Sequence, residues 1–398
     1  MNIESLTLEH YRNVQNQTVR FSKGLNILYG ENGAGKTNLL EAVSLFAVCK
    51  SHRTAKDTDF IAYGSDSAHL SMQYASDFDR TDMKISHDAD IRYFADGKKS
   101  LFYEGVRIGK VSEFIGRFRA VLFTPDHLSL IKGAPEERRR FCDMALSQIK
   151  PGYIRCLNDY YAYLSRRNAL LKEFRENGGV GDRVLLMTYT EALSKIAGKI
   201  MRQRILFSRY IQELASDFYR TISGDSEKLY VRYYGNIKDS GEKDDLSDVR
   251  LGSELFDLYE RNIETEIRRG MTRYGPHRDD FLFFMGKTPS EKAGGEENYR
   301  AESEFAARTF ASQGQQRSAV LALKLSEGDM MKSLSGEQPV YLFDDVLSEL
   351  DPNRRERFLS IFHDKQVLLT CCDESAANAL AGRKIAVRGG NYTAVDMG

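Results

Sequence analysis

An α/β fold with an accompanying antiparallel sheet and an inserted helical domain is predicted by three features of this 398-residue chain. A short apolar run, 25–29, stops at Gly30 and leads through a glycine loop into apolar residues at helical spacing. A second apolar run, 340–343, ends in the paired acids Asp344 and Asp345 far along the chain. Between the two, from Glu136 to about Tyr219, the pattern is that of long helices. The expected division is 1–130 for the N-terminal part of the α/β unit, 131–225 for a helical insertion or arm, and 226–398 for the C-terminal part of that unit.

Taken in order, Leu6 and Leu8, then Val19 and Phe21, alternate with polar neighbours as half-buried strands do. Leu39, Leu40, Val43 and Phe46 share one side of a helix expected over 37–47. Segments 68–74, 91–94, 101–103 and 120–123 alternate or are rich in aromatics, and are assigned to the antiparallel sheet. Pro151-Gly152 and the run Gly178-Gly179-Val180-Gly181 break the helical insertion, so an antiparallel helix pair is expected there. In its second helix Leu193, Ile196, Ile200, Phe207, Ile211, Leu214 and Phe218 recur at spacings of three, four or seven. Such a stripe packs either in a core or against a partner. The polar segments 235–251 and 287–302 read as surface loops or a hairpin tip, and 366–370 as a further strand.

Formal net charge is zero, so the chain is not coated in basic charge. The charges are nevertheless uneven. Between Glu191 and Glu213 there is no acid, while Lys195, Lys199, Arg202, Arg204 and Arg209 all occur, and Arg138, Arg139 and Arg140 form a second run. Arg138, Arg139, Arg140, Lys195, Lys199, Arg202 and Arg204 are either solvated faces or contacts to nucleic-acid phosphates. No segment approaches the roughly 20 apolar residues of a membrane span, and the first residues lack the order of a secretory signal, so no membrane partner and a cytoplasmic location are expected. The five cysteines are scattered, with no two pairs at metal-ligand spacing, and are expected to be reduced thiols without a zinc site.

Three motifs carry chemistry. Gly30-Glu31-Asn32-Gly33-Ala34-Gly35-Lys36-Thr37 fits Gly-x-x-x-x-Gly-Lys-Thr, in which backbone N–H groups turn around a phosphate, the lysine reaches the β- and γ-phosphates, and the threonine holds Mg²⁺. ATP with Mg²⁺ is the expected cofactor, and the lining stretch is taken to run through Asn38. An acid closing an apolar strand is how P-loop ATPases place a carboxylate on the metal, so Asp344 is assigned to Mg²⁺ and Asp345 to the attacking water. The third motif, Ser312-Gln313-Gly314-Gln315-Gln316-Arg317, offers a hydroxyl and free N–H groups at a helix start. Two readings stand for it: a phosphate cap, or an ordinary N-cap by Ser312.

Flanking these motifs are Tyr11-Arg12-Asn13, Lys50-Ser51-His52-Arg53-Thr54, Phe123-Thr124-Pro125-Asp126, Gly275-Pro276-His277-Arg278-Asp279-Asp280 and the stretch from Ser348 to Asp351. In this order they resemble the RecF family of bacterial DNA repair and replication proteins over essentially the whole chain. That family is similar to the SMC and Rad50 ATPase heads and, more distantly, to ABC ATPases. The resemblance implies an ABC-type P-loop ATPase head of the SMC/Rad50 kind. It further implies that Ser312, Gly314 and Gln315 complete the nucleotide site of a second subunit in an ATP-dependent homodimer, and that Ser348 to Asp351 lies near the dimer seam. Arg12, His52 and Arg53 are expected to approach the nucleotide, and Thr124 to Asp126 to lie near a γ-phosphate sensor. DNA, as duplex and at junctions with single strands, is the implied partner. Cooperation with RecR and RecO, loading of the recombinase RecA at single-strand gaps, and a part in the SOS response are implied as well.

Three departures qualify the resemblance to ABC ATPases. Asp345 stands where transporters carry Glu, one methylene longer, so slow hydrolysis timing release from DNA is expected. Gly314-Gln315 replaces a glycine pair, and Cys371-Cys372-Asp373 stands where a switch histidine is common. Two other functions compete at this point: the nucleotide-binding subunit of an ABC transporter, and a structural dimer that nucleotide stabilises without significant turnover.

Overall fold

The structure, a computed structural model, describes residues 1–77, 84–224, 227–237, 246–287 and 304–395. The chain opens with a hairpin of β1 (Asn2–Tyr11) and β2 (Val14–Arg20), then β3 (Leu25–Tyr29) enters the glycine loop and α1 (Lys36–Val48). β4 (Ser67–Asp77), β5 (Lys84–Phe94), β6 (Lys99–Tyr103) and β7 (Val106–Ile108) complete a six-stranded antiparallel sheet in the order β2-β1-β4-β5-β6-β7. A short helix α2 (Val111–Phe114) leads to β8 (Ala120–Phe123) and α3 (Ser129–Lys132).

Three long helices follow: α4 (Pro135–Ile149), α5 (Tyr153–Glu176) and α6 (Arg183–Ser223). β9 (Glu227–Tyr234), α7 (Asp248–Arg269), β10 (Asp280–Lys287), β11 (Glu304–Ala306) and the short α8 (Ala307–Phe310) come next. The chain ends with α9 (Gln313–Ser335), β12 (Val340–Phe343), α10 (Pro352–Ser360), β13 (Val367–Cys371), α11 (Glu374–Asn378), β14 (Arg383–Arg388) and β15 (Asn391–Val395).

The second six-stranded sheet runs β15-β14-β3-β13-β12-β8, parallel except for the β14–β15 hairpin. Its strands β3, β13, β12 and β8 are covered on both faces, which is why they read as largely apolar runs. Alternate residues feed two cores. Leu28, Leu342 and Leu368 join α1 and the antiparallel sheet in one, while Ile27, Phe343 and Leu369 join α4, α6 and α9 in the other. Helix α1 thus lies between two sheets and is buried on nearly all sides, not only along the stripe its leucines mark.

The third sheet, β11-β10-β9, packs on α6. Its β9 edge is closed by the Gln212 side chain, which accepts from Val231 N–H and donates to Leu229 O.

Three expectations are corrected. Segment 120–123 belongs to the parallel sheet, not the antiparallel one; four consecutive apolar residues suit a strand covered on both faces. Residues 248–251 are the first turn of α7, which Ser247 caps through the N–H groups of Val249 and Arg250, while 238–245 and 288–303 lie outside the described residues. The arm is also more than a helix pair, since α7 packs on both α5 and α6. The stripe on α6 resolves as core: Leu193, Ile200, Phe207 and Ile211 are at most 2% exposed, against α7, α9 and β9.

Candidate nucleotide site

Because β3, β12 and β13 are parallel neighbours, their C-terminal ends bring three distant segments to one sheet edge. A cleft of 370 Å³ opens there, lined by Asn32, Gly33, Gly35, Lys36, Thr37, Asn38, Arg53, Pro125, Asp344, Asp345, Thr370 and Cys372. Gly30 (φ 150°) and Gly35 (φ 115°) take backbone angles that L-residues avoid. A Cβ at Gly30 would stand 2.2 Å from Val387 O, and one at Gly35 would press on Asn13 and the Tyr392 hydroxyl. The loop is braced from outside as well, by Gly390 N–H on Ala34 O at 2.9 Å and by Tyr392 O–H on Gly35 O at 3.0 Å.

Lys36 is buried at the base of the loop, where its ammonium donates to Gly30 O and to Glu31 O. Thr37 Oγ1 donates to Asp344 Oδ2 at 2.8 Å. A hydroxyl beside a carboxylate at a loop rich in N–H donors is the hard-oxygen pair that suits Mg²⁺, which takes few protein ligands and keeps phosphate and water for the rest. Asp345 follows at φ 50°, its N–H on Thr370 Oγ1 and its Oδ1 accepting the Cys372 thiol at 3.3 Å. Burial, with Asp345 beside it, pushes the Cys372 thiol above its ordinary range. It therefore stays protonated and serves as a donor.

Of the flanking motifs, Arg53 and Pro125 line the cleft, whereas His52 lines a separate pocket with Thr124, His127 and Arg140. Burial holds both histidines below their ordinary value. Arg12 does not line the cleft. Its guanidinium pairs with Glu41 on α1, which also accepts from the Tyr11 and Ser51 hydroxyls at 3.0 and 2.6 Å. Burial alone would raise the Glu41 carboxyl, but the bonds from Arg12 and Ser51 hold it below the usual range. In this arrangement Arg12 anchors α1. Asn13, from the same motif as Arg12, reaches the site by accepting from the Asn38 amide at 2.8 Å.

Ser312, Gly314 and Gln315 lie elsewhere. Ser312 is exposed and exchanges bonds with Gln315 in a capping box at the start of α9. A Cβ at Gly314 would meet Arg354, whose partner Asp351 caps α10, so this loop and the 348–351 turn are neighbours. Neither Ser312 nor Gly314 nor Gln315 lines the cleft of its own chain.

The seven candidate DNA-contacting cations separate. Arg204, 1% exposed, is bound to Asp143 at 3.0 and 2.8 Å and to Pro276 O at 2.6 Å. Arg138, 4% exposed, grips both oxygens of Asp280 at 2.7 and 2.9 Å. Both expectations of DNA contact are corrected, because a desolvated cation already paired has no face left for phosphate. Arg139, Arg140 and Arg202 are half-buried on the carbonyls of Asp279, Ser51 and Leu246. Lys195 and Lys199 are exposed on α6, Lys195 bonded to Glu191 at 2.6 Å.

Arg138, Arg139 and Arg204 instead clasp the 275–280 turn, tying the arm to the head. Within that turn the Tyr160 hydroxyl donates to His277 Nδ1 at 2.6 Å, and the Tyr233 hydroxyl donates to Asp279.

A family model described as RecF/RecN/SMC N terminal domain matches residues 2–387. A DNA replication and repair protein RecF from an Exiguobacterium species is 35% identical over 371 residues, covering 93% of this chain and 92% of its own length. The chain belongs to the RecF family. Another RecF, from Lactobacillus delbrueckii subsp. bulgaricus, is 36% identical over 366 residues, 91% of this chain and 88% of its own. The solved RecF-ATP of the RecFOR pathway superposes with a TM-score of 0.84 at 27% identity, covering 99% of this chain and 98% of that one. An Smc head domain from Pyrococcus furiosus, at 18% identity and TM-score 0.55, shares the fold. Membership in the RecF family displaces the transporter-subunit expectation. Among the described residues, no helix is long and apolar enough to cross a membrane.

Proposed function

We propose that this RecF-family chain is an ATP-dependent DNA-binding protein of recombinational repair and replication, in which ATP and Mg²⁺ close two copies head to tail and slow hydrolysis reopens them. The observation that carries this reading is the split site. Lys36, Thr37, Asp344 and Asp345 share one cleft, while the Ser312 loop stands exposed at the start of α9, outside it. A γ-phosphate between two surfaces needs donors from the facing wall, and a helix start with a serine hydroxyl supplies them.

Lys36 binds the β- and γ-phosphates, Thr37 and Asp344 hold the metal, and Asp345 orients the attacking water. Bound Mg²⁺ supplies charge neutralisation as the phosphate bond breaks. The duplex or gap junction is met by surface cations, Lys195 and Lys199 on α6 among them, through phosphate contacts that give structure preference over base preference. RecR, RecO and RecA are the partners in the cytoplasm, with recombinase loading and the SOS response as the outcome.

The test mixes Ser312→Arg with Lys36→Ala. Each variant alone should lose ATP hydrolysis, and the mixture should recover part of it, because one composite site then carries both defects and the other neither. Light scattering that shows Ser312→Arg dimerising normally with ATP overturns the trans arrangement. Unchanged phosphate release by Asp345→Asn would leave a nucleotide-stabilised structural dimer as the function.

A further inference from the structure

β13 is buried along its whole length and ends against the two acids. Its Thr370, 1% exposed as a residue, presents one hydroxyl to both of them. Thr370 Oγ1 accepts the Asp345 N–H at 2.8 Å and donates its own proton to Asp344 Oδ1 at 2.8 Å. The other oxygen of Asp344 takes Thr37, so this carboxylate is gripped from both sides and its plane is fixed. Asp345 needs such a hold, because φ 50° is a conformation that non-glycine residues seldom keep unless their surroundings impose it. The Cys372 thiol then restrains the Asp345 side chain from the same strand end.

We infer that Thr370 is a positioning residue for ATP hydrolysis: its hydroxyl sets the angle between the metal-holding carboxylate of Asp344 and the water-orienting carboxylate of Asp345. The inference rests on the roles proposed above for those two acids. Valine has nearly the shape of threonine but offers neither donor nor acceptor. In its place the Asp345 backbone loses its tether and the Asp344 carboxylate is free to turn toward Thr37 alone. The consequence falls on the chemical step and on metal affinity, because the hydroxyl's two bonds go to Asp344 and Asp345.

The experiment compares Thr370→Val and Thr370→Ser with the wild type in steady-state ATP hydrolysis. It also compares binding of a non-hydrolysable ATP analogue with Mg²⁺ and with EDTA, and melting. Val should lower kcat about 10- to 100-fold, the range seen when groups supporting a metal ligand are removed. Its analogue affinity should also lose much of the gain that Mg²⁺ confers, and Ser should restore both. Should the Val variant melt far below the wild type, Thr370→Ala is read in its place.

A variant without the hydroxyl that keeps wild-type kcat and wild-type Mg²⁺ dependence, while Asp344→Asn and Asp345→Asn abolish turnover, overturns the inference and spares the functional reading. If those two Asn variants also turn over normally, the reading fails first and the inference with it.

Discussion

Half-buried His277 and buried Asp279 of the 275–280 turn should carry opposite pH dependences that hide one another. Burial, foremost, drives His277 from 6.5 down to about 4, and drives Asp279 from 3.8 up to about 6 against the pull of Arg204. For His277 the unfolded chain binds a proton near 6.5 that the fold refuses until about 4, so stability is lost as pH falls through that window. At about 1.4 kcal/mol per tenfold change in proton affinity, the loss is about 3 kcal/mol.

For Asp279 the sign reverses. The fold keeps its proton up to about 6 whereas the unfolded chain releases it near 3.8, so stability falls as pH rises, again by about 3 kcal/mol. In the wild type the two slopes nearly cancel between pH 4 and 6. Removing either partner exposes the other. Urea denaturation from pH 4 to 7 should show Asp279→Asn gaining about 3 kcal/mol on the wild type as pH rises, and His277→Gln gaining about as much as pH falls. Subtracting the wild-type curve removes every other titrating group. Differences that stay flat across that range would refute the reasoning.

Arg204→Ala should cost about 3 to 5 kcal/mol by the same denaturation measurement, since it leaves the Asp143 carboxylate largely buried without its cation. Gly30→Ala should abolish binding of a fluorescent ATP analogue, because its Cβ would collide with Val387 O and the loop must move to admit it. DNA affinity should fall with salt by roughly 0.9 in log K per log salt for each duplex phosphate contacted. A Lys195→Glu, Lys199→Glu double variant should bind less tightly with a shallower slope, and an unchanged slope would remove the outer face of α6 from the DNA contact.

The nucleotide loop was legible because its chemistry is local: eight consecutive residues fix the glycine angles, the lysine and the threonine. Asp344 was legible because an acid closing an apolar strand is itself a pattern. The cations were misread for a reason the sequence does contain. Arg204 stands with Ile200, Phe207 and Ile211 at helical spacing, and Arg138 stands with Phe141, Cys142 and Ala145, so each shares the buried face of its helix. Whether a cation in such a run faces water is set by its position around the helix, not along the chain.

α7 was overlooked because its acidic start resembles a loop, yet Ser247 before it and Gly270 after it are ordinary cap signals. Thr370 gave no signal at all. Its importance lies in which two strands flank each other, and that is set by packing across more than twenty residues of intervening chain.

Helix α6 has 41 residues and is therefore about 60 Å long. One end carries the distal contacts with α5, and the other reaches α9 and α10, the helices that Ser312 and Asp351 cap. A rod of that length is an angular amplifier: a tilt of about 10° at the head sweeps the far end through about 10 Å. A change at the start of α9 too small to disturb the packing around it would therefore appear as a large displacement at the far end of the rod. By the same geometry, a modest load applied at the arm tip exerts a large torque on the surface where two heads would meet.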